Sequence, residues 1–213
     1  MDQPPDPVRP PPPARLPLPP GIARDITREE LAVLPLGRYE GEIVMVATPR
    51  DFERAWADLA QEKAVGWDTE TRPAFKVGEF YLPSLVQAAT AKTVYLFQLG
   101  MMDFSRVVGG LFAEPTIVKP GISVKDDLKK LKQVFAFEDE SVLDLGLVAK
   151  RHGMAKTGLR NLAGIFLGIR VAKGSKTTNW AAPILTEQQI AYAATDAWAC
   201  RELYLRFAAL GMV

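Results

Sequence analysis

Residues 64–70 read Ala-Val-Gly-Trp-Asp-Thr-Glu, an apolar run that ends in two carboxylates. An apolar run of this kind belongs to a strand inside a sheet, not to a solvated edge. Side chains two apart on a strand share a face at a spacing of about 6.6 Å. Asp68 and Glu70 would therefore project together from one side of a central strand. Like charges so placed repel, and burying them is costly unless a cation intervenes. A divalent ion between the paired acids of a covered strand is one reading of the segment; a chance pair of acids on a solvent-facing strand is the other.

A second constellation lies near the C-terminus, where Tyr192-Ala193-Ala194-Thr195-Asp196 falls in a long helical pattern. Positions four apart share a helix face, so the phenol and the carboxylate can hold a water between them. The alanines at 191, 193, 194 and 197 would let the helix lie close to a sheet, which brings Asp196 toward the interior. A third acidic segment, Lys125-Asp126-Asp127-Leu128, opens a helix. Asp126 reads as its N-cap and Asp127 as a first-turn residue four positions before Leu131, although either acid could be the functional one.

Around these segments strands and helices alternate. Strands are expected at residues 42–47, 64–70, 84–89, 93–98 and 116–119. Helices are expected at about 48–61, 104–112, 127–135, 145–152, 159–167 and 187–210, with Thr186 capping the last. A short helix near Thr27 opens with capping-box spacing to Glu30. A strand-rich first half followed by helices with short strands fits an α/β domain with a mixed central sheet. Residues 1–26 read as a separate leader, because residues 1–20 hold ten of the chain's 17 prolines. Such a segment favours extended polyproline II and resists helix or sheet. It is expected to be a disordered leader or a docking peptide for a protein partner, and residues 27–213 form the domain.

Composition narrows the chemistry. One cysteine, Cys200, and one histidine, His152, exclude a disulfide framework and argue against zinc held by Cys and His. A metal here should be a hard cation held by carboxylates. The net charge of +1 does not by itself announce a nucleic-acid partner. No apolar run is long enough for a helical membrane span, and with no signal-peptide pattern the expected location is cytoplasmic. Asp144 reads as an N-cap, His152 as a structural residue near a helix end, and Cys200 as core.

Asp68-x-Glu70, a middle aspartate and Tyr192-x3-Asp196 together resemble the motif set of the DEDDy 3′-5′ exonucleases, the ribonuclease D superfamily. Gly66–Pro73 and Thr178–Ala197 are similar to the Werner helicase exonuclease subfamily within it. The resemblance covers about residues 38–210. It implies a ribonuclease H-like fold, with a mixed five-stranded sheet flanked by helices. It also implies two divalent cations, Mg²⁺ or Mn²⁺, and a nucleic acid with a free 3′ end as substrate, DNA slightly favoured over RNA. By position Asp68, Glu70 and Asp196 would bind the cation that holds the attacking water. Asp68 and Asp127 would bind the second, and Tyr192 would orient the water. A sister subgroup carries a histidine where this chain has Ala191, so the tyrosine version applies.

Candidate substrate contacts are Thr71, Phe75 and Tyr81 after the first motif, Lys129, and Lys173 before Trp180. Phe80 belongs to the same aromatic stretch, and Ser175 and Lys176 to the same basic loop as Lys173. The Werner subfamily has tryptophan at the position of Lys129. Lys125, Lys129, Lys130 and Lys132 read either as a phosphate track or as a solvated helix face. Trp180 reads as a packing residue.

Overall fold

The computed structural model describes residues 15–174 and 178–213. Its strands are β1 (Leu36–Gly37), β2 (Glu42–Met45), β3 (Gly66–Thr71), β4 (Pro83–Ala89), β5 (Thr93–Gln98), β6 (Lys119–Gly121), β7 (Val142–Asp144) and β8 (Arg170–Val171). The helices are α1 (Arg28–Val33), α2 (Pro49–Leu59), α3 (Gly110–Ala113), α4 (Val124–Leu131), α5 (Leu145–Arg151), α6 (Leu159–Leu167) and α7 (Glu187–Ala209).

Four strands form one mixed sheet in the order β2-β5-β4-β3, with β2 parallel to β5 and the other pairs antiparallel. A bridge between Ala64 and Val118 carries the sheet past β3 to β6, which pairs in parallel with β7. The ribonuclease H-like fold is thus present, its fifth strand joined by a single bridge and a sixth lying beyond. β1 and β8 form a separate parallel pair. Both strands are two residues long, as is their ladder, too short for sequence periodicity to register.

Each face of the sheet is covered. On one side Leu85, Ala89, Val94 and Leu96 pack under Ala193, Ala194 and Ala197 of α7. On the other, Trp67, Val86, Tyr95 and Phe97 meet α2 and the segment from Phe104 to Phe112. Trp67 and Phe112 stack edge-to-face with centroids 4.7 Å apart. Burying side chains of this size contributes about 1.5–3 kcal/mol each. Gly66 permits the close approach of α7 to β3. A Cβ there would lie 2.2 Å from the Ala197 carbonyl oxygen and 2.6 Å from the Arg201 nitrogen.

Local signals set most of the helix starts. Thr27 with Glu30, Thr48 with Asp51 and Thr186 with Gln189 each form a capping box. Asp144 caps α5 by accepting from the Leu147 N–H at 3.1 Å. The strand expected at 116–119 lies at Lys119–Gly121, β7 was not expected as a strand, and two helices differ from the expected pattern. The 104–112 helix is a π-turn over Ser105–Gly109 followed by the short α3.

The helix expected from Asp127 begins three residues earlier. Ser123, in the left-handed region at φ 59°, turns the chain into α4, so Asp126 is not the N-cap; both aspartates stand in the first turn. That helix stops at Leu131, and Phe135 and Phe137 fold back on the core, Phe137 lying 5.1 Å from Phe112.

Residues 15–26, proline-rich at their start, lie against the domain. The Leu16 N–H donates to the Arg151 carbonyl at 2.9 Å, and Leu18 and Ile22 cover the cluster formed by Leu145, Val148, Leu203 and Phe207. The buried His152 places Nδ1 2.7 Å from the Pro17 carbonyl oxygen and Nε2 3.4 Å from that of Met212. Its place is structural, tying both ends of the described chain to α5. Residues 1–14 of the leader, and with them any docking role there, lie outside the described residues. No helix among the described residues is long and apolar enough to cross a membrane.

Candidate active site

Asp68 and Glu70 leave the same face of β3, and Asp196 reaches them from α7 through the close approach at Gly66. One carboxylate oxygen from each of the three lies within 4.8 Å of the others. Asp196 is 5% exposed, and its Oδ1 is buried with no hydrogen-bond partner. Asp68 and Glu70 are partly open to solvent. The Asp68 carboxylate accepts from the Thr69 N–H at 2.9 Å.

This packing raises the proton affinity of the cluster. Burial, then the neighbouring Asp196 and Glu70 charges, pushes Asp68 well above the usual carboxylate range. Burial and the Asp196 and Asp127 charges bring Glu70 up to about 8. Asp196 rises to about 7 through burial, against a lowering contribution from the Tyr192 hydroxyl. Three acids that resist ionisation together, one with an orphaned buried oxygen, match what a divalent cation would relieve.

Tyr192 lies one turn before Asp196 on α7. Burial and the Asp196 carboxylate push its phenol above its ordinary range, so it stays protonated. Trp180, 6% exposed, packs beside it with ring centroids 6.1 Å apart. A cavity of about 510 Å³ opens on that side, lined by Tyr192, Trp180, Lys173 and Arg38 among others.

Asp127 stands apart from the three-acid cluster, on α4. Its Oδ1 accepts from the Thr69 hydroxyl at 2.8 Å, and burial raises its carboxyl. Asp126 is exposed. The partial burial of Asp127 and its bond to β3 set it apart from the exposed Asp126.

The other expected contacts are spread around this centre. Thr71 ends β3 and is partly buried, Phe75 is 68% exposed and Phe80 59%. Tyr81 is half-buried beneath the Arg72 guanidinium, 4.8 Å from its ring centroid. Lys129 and Lys173 are exposed. Lys132 pairs with Asp139. Ser175 and Lys176 lie outside the described residues. Cys200 is buried, as expected of core.

Sequence reasoning passed over Thr69 and Gln87. Gln87 is fully buried, pairs across the ladder with Asp68, and has neither amide atom hydrogen-bonded. A lone polar residue in an apolar strand was the available signal, but only strand pairing places it beside Asp68.

A mixed sheet covered on both faces, with a carboxylate cluster where β3 meets a long helix, is the arrangement of the ribonuclease H-like fold, and the cluster offers ligands for a divalent cation. Residues 43–210 match the family model described as 3′-5′ exonuclease, and the chain belongs to that family. Its members are divalent-metal-dependent nucleases, and the acidic cluster supplies ligands of the right kind.

The chain is 30% identical over 200 residues to an exonuclease mut-7 homolog of Homo sapiens, covering 80% of this chain and 23% of that one. It is 34% identical over 152 residues to ribonuclease D of Haemophilus influenzae, covering 69% and 37%. It is also 30% identical over 188 residues to the bifunctional 3′-5′ exonuclease/ATP-dependent helicase WRN of Mus musculus, covering 84% and 13%. It therefore spans well under half of each of these relatives. Among solved structures, the Nibbler EXO domain of Aedes aegypti superposes with a TM-score of 0.72 at 21% identity, over 83% of this chain and 91% of that one, a likeness of fold.

Proposed function

We propose that this domain is an active DEDDy-type exonuclease that removes nucleotides from the 3′ end of a nucleic-acid strand, with two divalent cations, Mg²⁺ or Mn²⁺, as cofactors. The observation that carries this reading is the convergence of Asp68, Glu70 and Asp196 within 4.8 Å beside Tyr192. A non-catalytic binding module on this fold would have no need of an intact and internally repulsive acid cluster.

In this reading Asp68, Glu70 and Asp196 would hold the cation nearest the attacking water, and Asp68 and Asp127 would hold the second. Cations bound there would supply activation of a water and stabilisation of the departing 3′ oxygen. The Tyr192 hydroxyl, held protonated by its surroundings, acts as a hydrogen-bond partner that orients the water, not as a base. Thr71, Phe75 and Tyr81 border the terminal nucleotide, while Lys129 and Lys173 meet backbone phosphates.

DNA is favoured slightly over RNA. That preference rests on the likeness of Gly66–Pro73 and Thr178–Ala197 to the Werner subfamily, and RNA 3′-end processing or trimming of short oligonucleotides is the second reading. Matched 5′-labelled DNA and RNA, single-stranded, recessed and very short, separate these. Faster shortening of DNA supports the first reading. Faster shortening of RNA or of the shortest substrates supports the second, and binding without product in either metal moves the assignment to a binding module.

A further inference from the structure

Thr69 sits between Asp68 and Glu70, and strand alternation turns its side chain to the other face of β3, toward α4. The residue is 8% exposed, and its hydroxyl donates to Asp127 Oδ1 at 2.8 Å. A buried hydroxyl needs an acceptor, and a carboxylate rotates broadly about its last torsion unless something holds it. Asp127 is the one acid of the four outside the three-acid cluster. A group from the strand that carries Asp68 and Glu70 therefore bonds α4's carboxylate, whose charge is felt at both of those acids. The same bond opposes the rise that burial imposes on the Asp127 carboxyl.

We propose that Thr69 is the positioning residue for Asp127: its hydroxyl fixes the carboxylate and leaves the other oxygen as a ligand atom for the second cation. The inference rests on the two-cation reading above. It assigns a role to the middle residue of the Asp-x-Glu motif, and that role depends on a side-chain hydroxyl. Groups that orient a metal-binding carboxylate typically change metal affinity by about 10–100-fold when removed.

The experiment counts Mn²⁺ bound without substrate, by calorimetry and electron paramagnetic resonance, in the wild type, Thr69→Val, Thr69→Ser, Asp127→Asn and the Thr69→Val/Asp127→Asn double variant. Melting in EDTA is recorded for each. The wild type should show a tighter and a weaker class of Mn²⁺. Thr69→Val should weaken the weaker class about tenfold and spare the tighter one, while Thr69→Ser recovers most of it. The double variant should bind no worse than Asp127→Asn, as two residues acting through one carboxylate are non-additive.

Wild-type binding of both classes by Thr69→Val overturns the inference. So does failure of Thr69→Ser to recover the weaker class, and that comparison stands even if the valine variant melts early. A wild type that binds fewer than two classes overturns the two-cation reading itself, and the inference falls with it.

Discussion

Removing divalent cations and raising the pH should destabilise this fold, by an amount that the acid cluster sets. In the fold without a bound cation, burial and the neighbouring carboxylates push Glu70 up to about 8 and burial pushes Asp196 up to about 7, against ordinary values of 4.5 and 3.8. Between about pH 4 and pH 8 the folded state therefore holds protons that the unfolded chain has released, and stability falls as the pH rises through that window. At about 1.4 kcal/mol per pH unit, the rise at Glu70 alone corresponds to ~5 kcal/mol. Part of it comes from Asp196, so the two rises overlap instead of adding, and the cluster as a whole is worth on the order of 5 kcal/mol. For a domain of this size that is on the order of 10 °C in melting temperature.

The assay is thermal unfolding in EDTA from about pH 5 to about pH 9, repeated with saturating Mg²⁺ and with Glu70→Gln. The wild type should lose roughly 10 °C across the range in EDTA and recover most of it with Mg²⁺, which binds the folded state alone. Glu70→Gln should be less pH-sensitive and should melt above the wild type at the alkaline end in EDTA. A melting temperature in EDTA that is flat or rises with pH, or a Glu70→Gln curve parallel to the wild type, would show that the cluster does not hold these protons.

Three further outcomes follow from the geometry. Gly66→Ala should lower the melting temperature, because its Cβ meets backbone of α7 at 2.2 and 2.6 Å; overpacking of this kind costs at least ~1–3 kcal/mol, and activity should fall with it. Asp127→Asn should reduce nuclease turnover by about 100-fold or more, whereas the exposed Asp126→Asn should stay within about twofold; steady-state rates on one labelled strand read both. Tyr192→Phe should lower kcat by about 10–100-fold with little change in Mn²⁺ affinity on calorimetry, and an equal loss of metal binding would contradict an orienting role.

The parts of this molecule legible in the sequence are those governed by local rules. The capping threonines 27, 48 and 186 mark helix starts because the cap and its reciprocal partner lie three residues apart. The alanines of α7 correctly implied a helix lying tight on a sheet, and alternation in β3 correctly placed Asp68 and Glu70 on one face. Long-range geometry was not legible. The start of α4 depends on Ser123 in a left-handed conformation, which no capping pattern announces. Asp126 and Asp127 look alike until α4 is placed against β3, and Thr69 and Gln87 acquire meaning only from their partners across space. The extended segment from Arg15 reads as leader by composition, yet Leu18 and Ile22 find an apolar cluster assembled from helices more than a hundred residues away.

A 3′-5′ exonuclease is distinguished from other nucleases on one DNA strand labelled at both ends with different dyes, incubated with Mg²⁺, Mn²⁺ or EDTA and with Asp68→Ala as control. The 3′ label should be released at once as a mononucleotide, with a descending ladder of 5′-labelled products. Both should require a divalent cation and be absent from a folded Asp68→Ala variant. Release of the 5′ label first, internal cuts, or undiminished cleavage by Asp68→Ala or in EDTA would contradict that assignment.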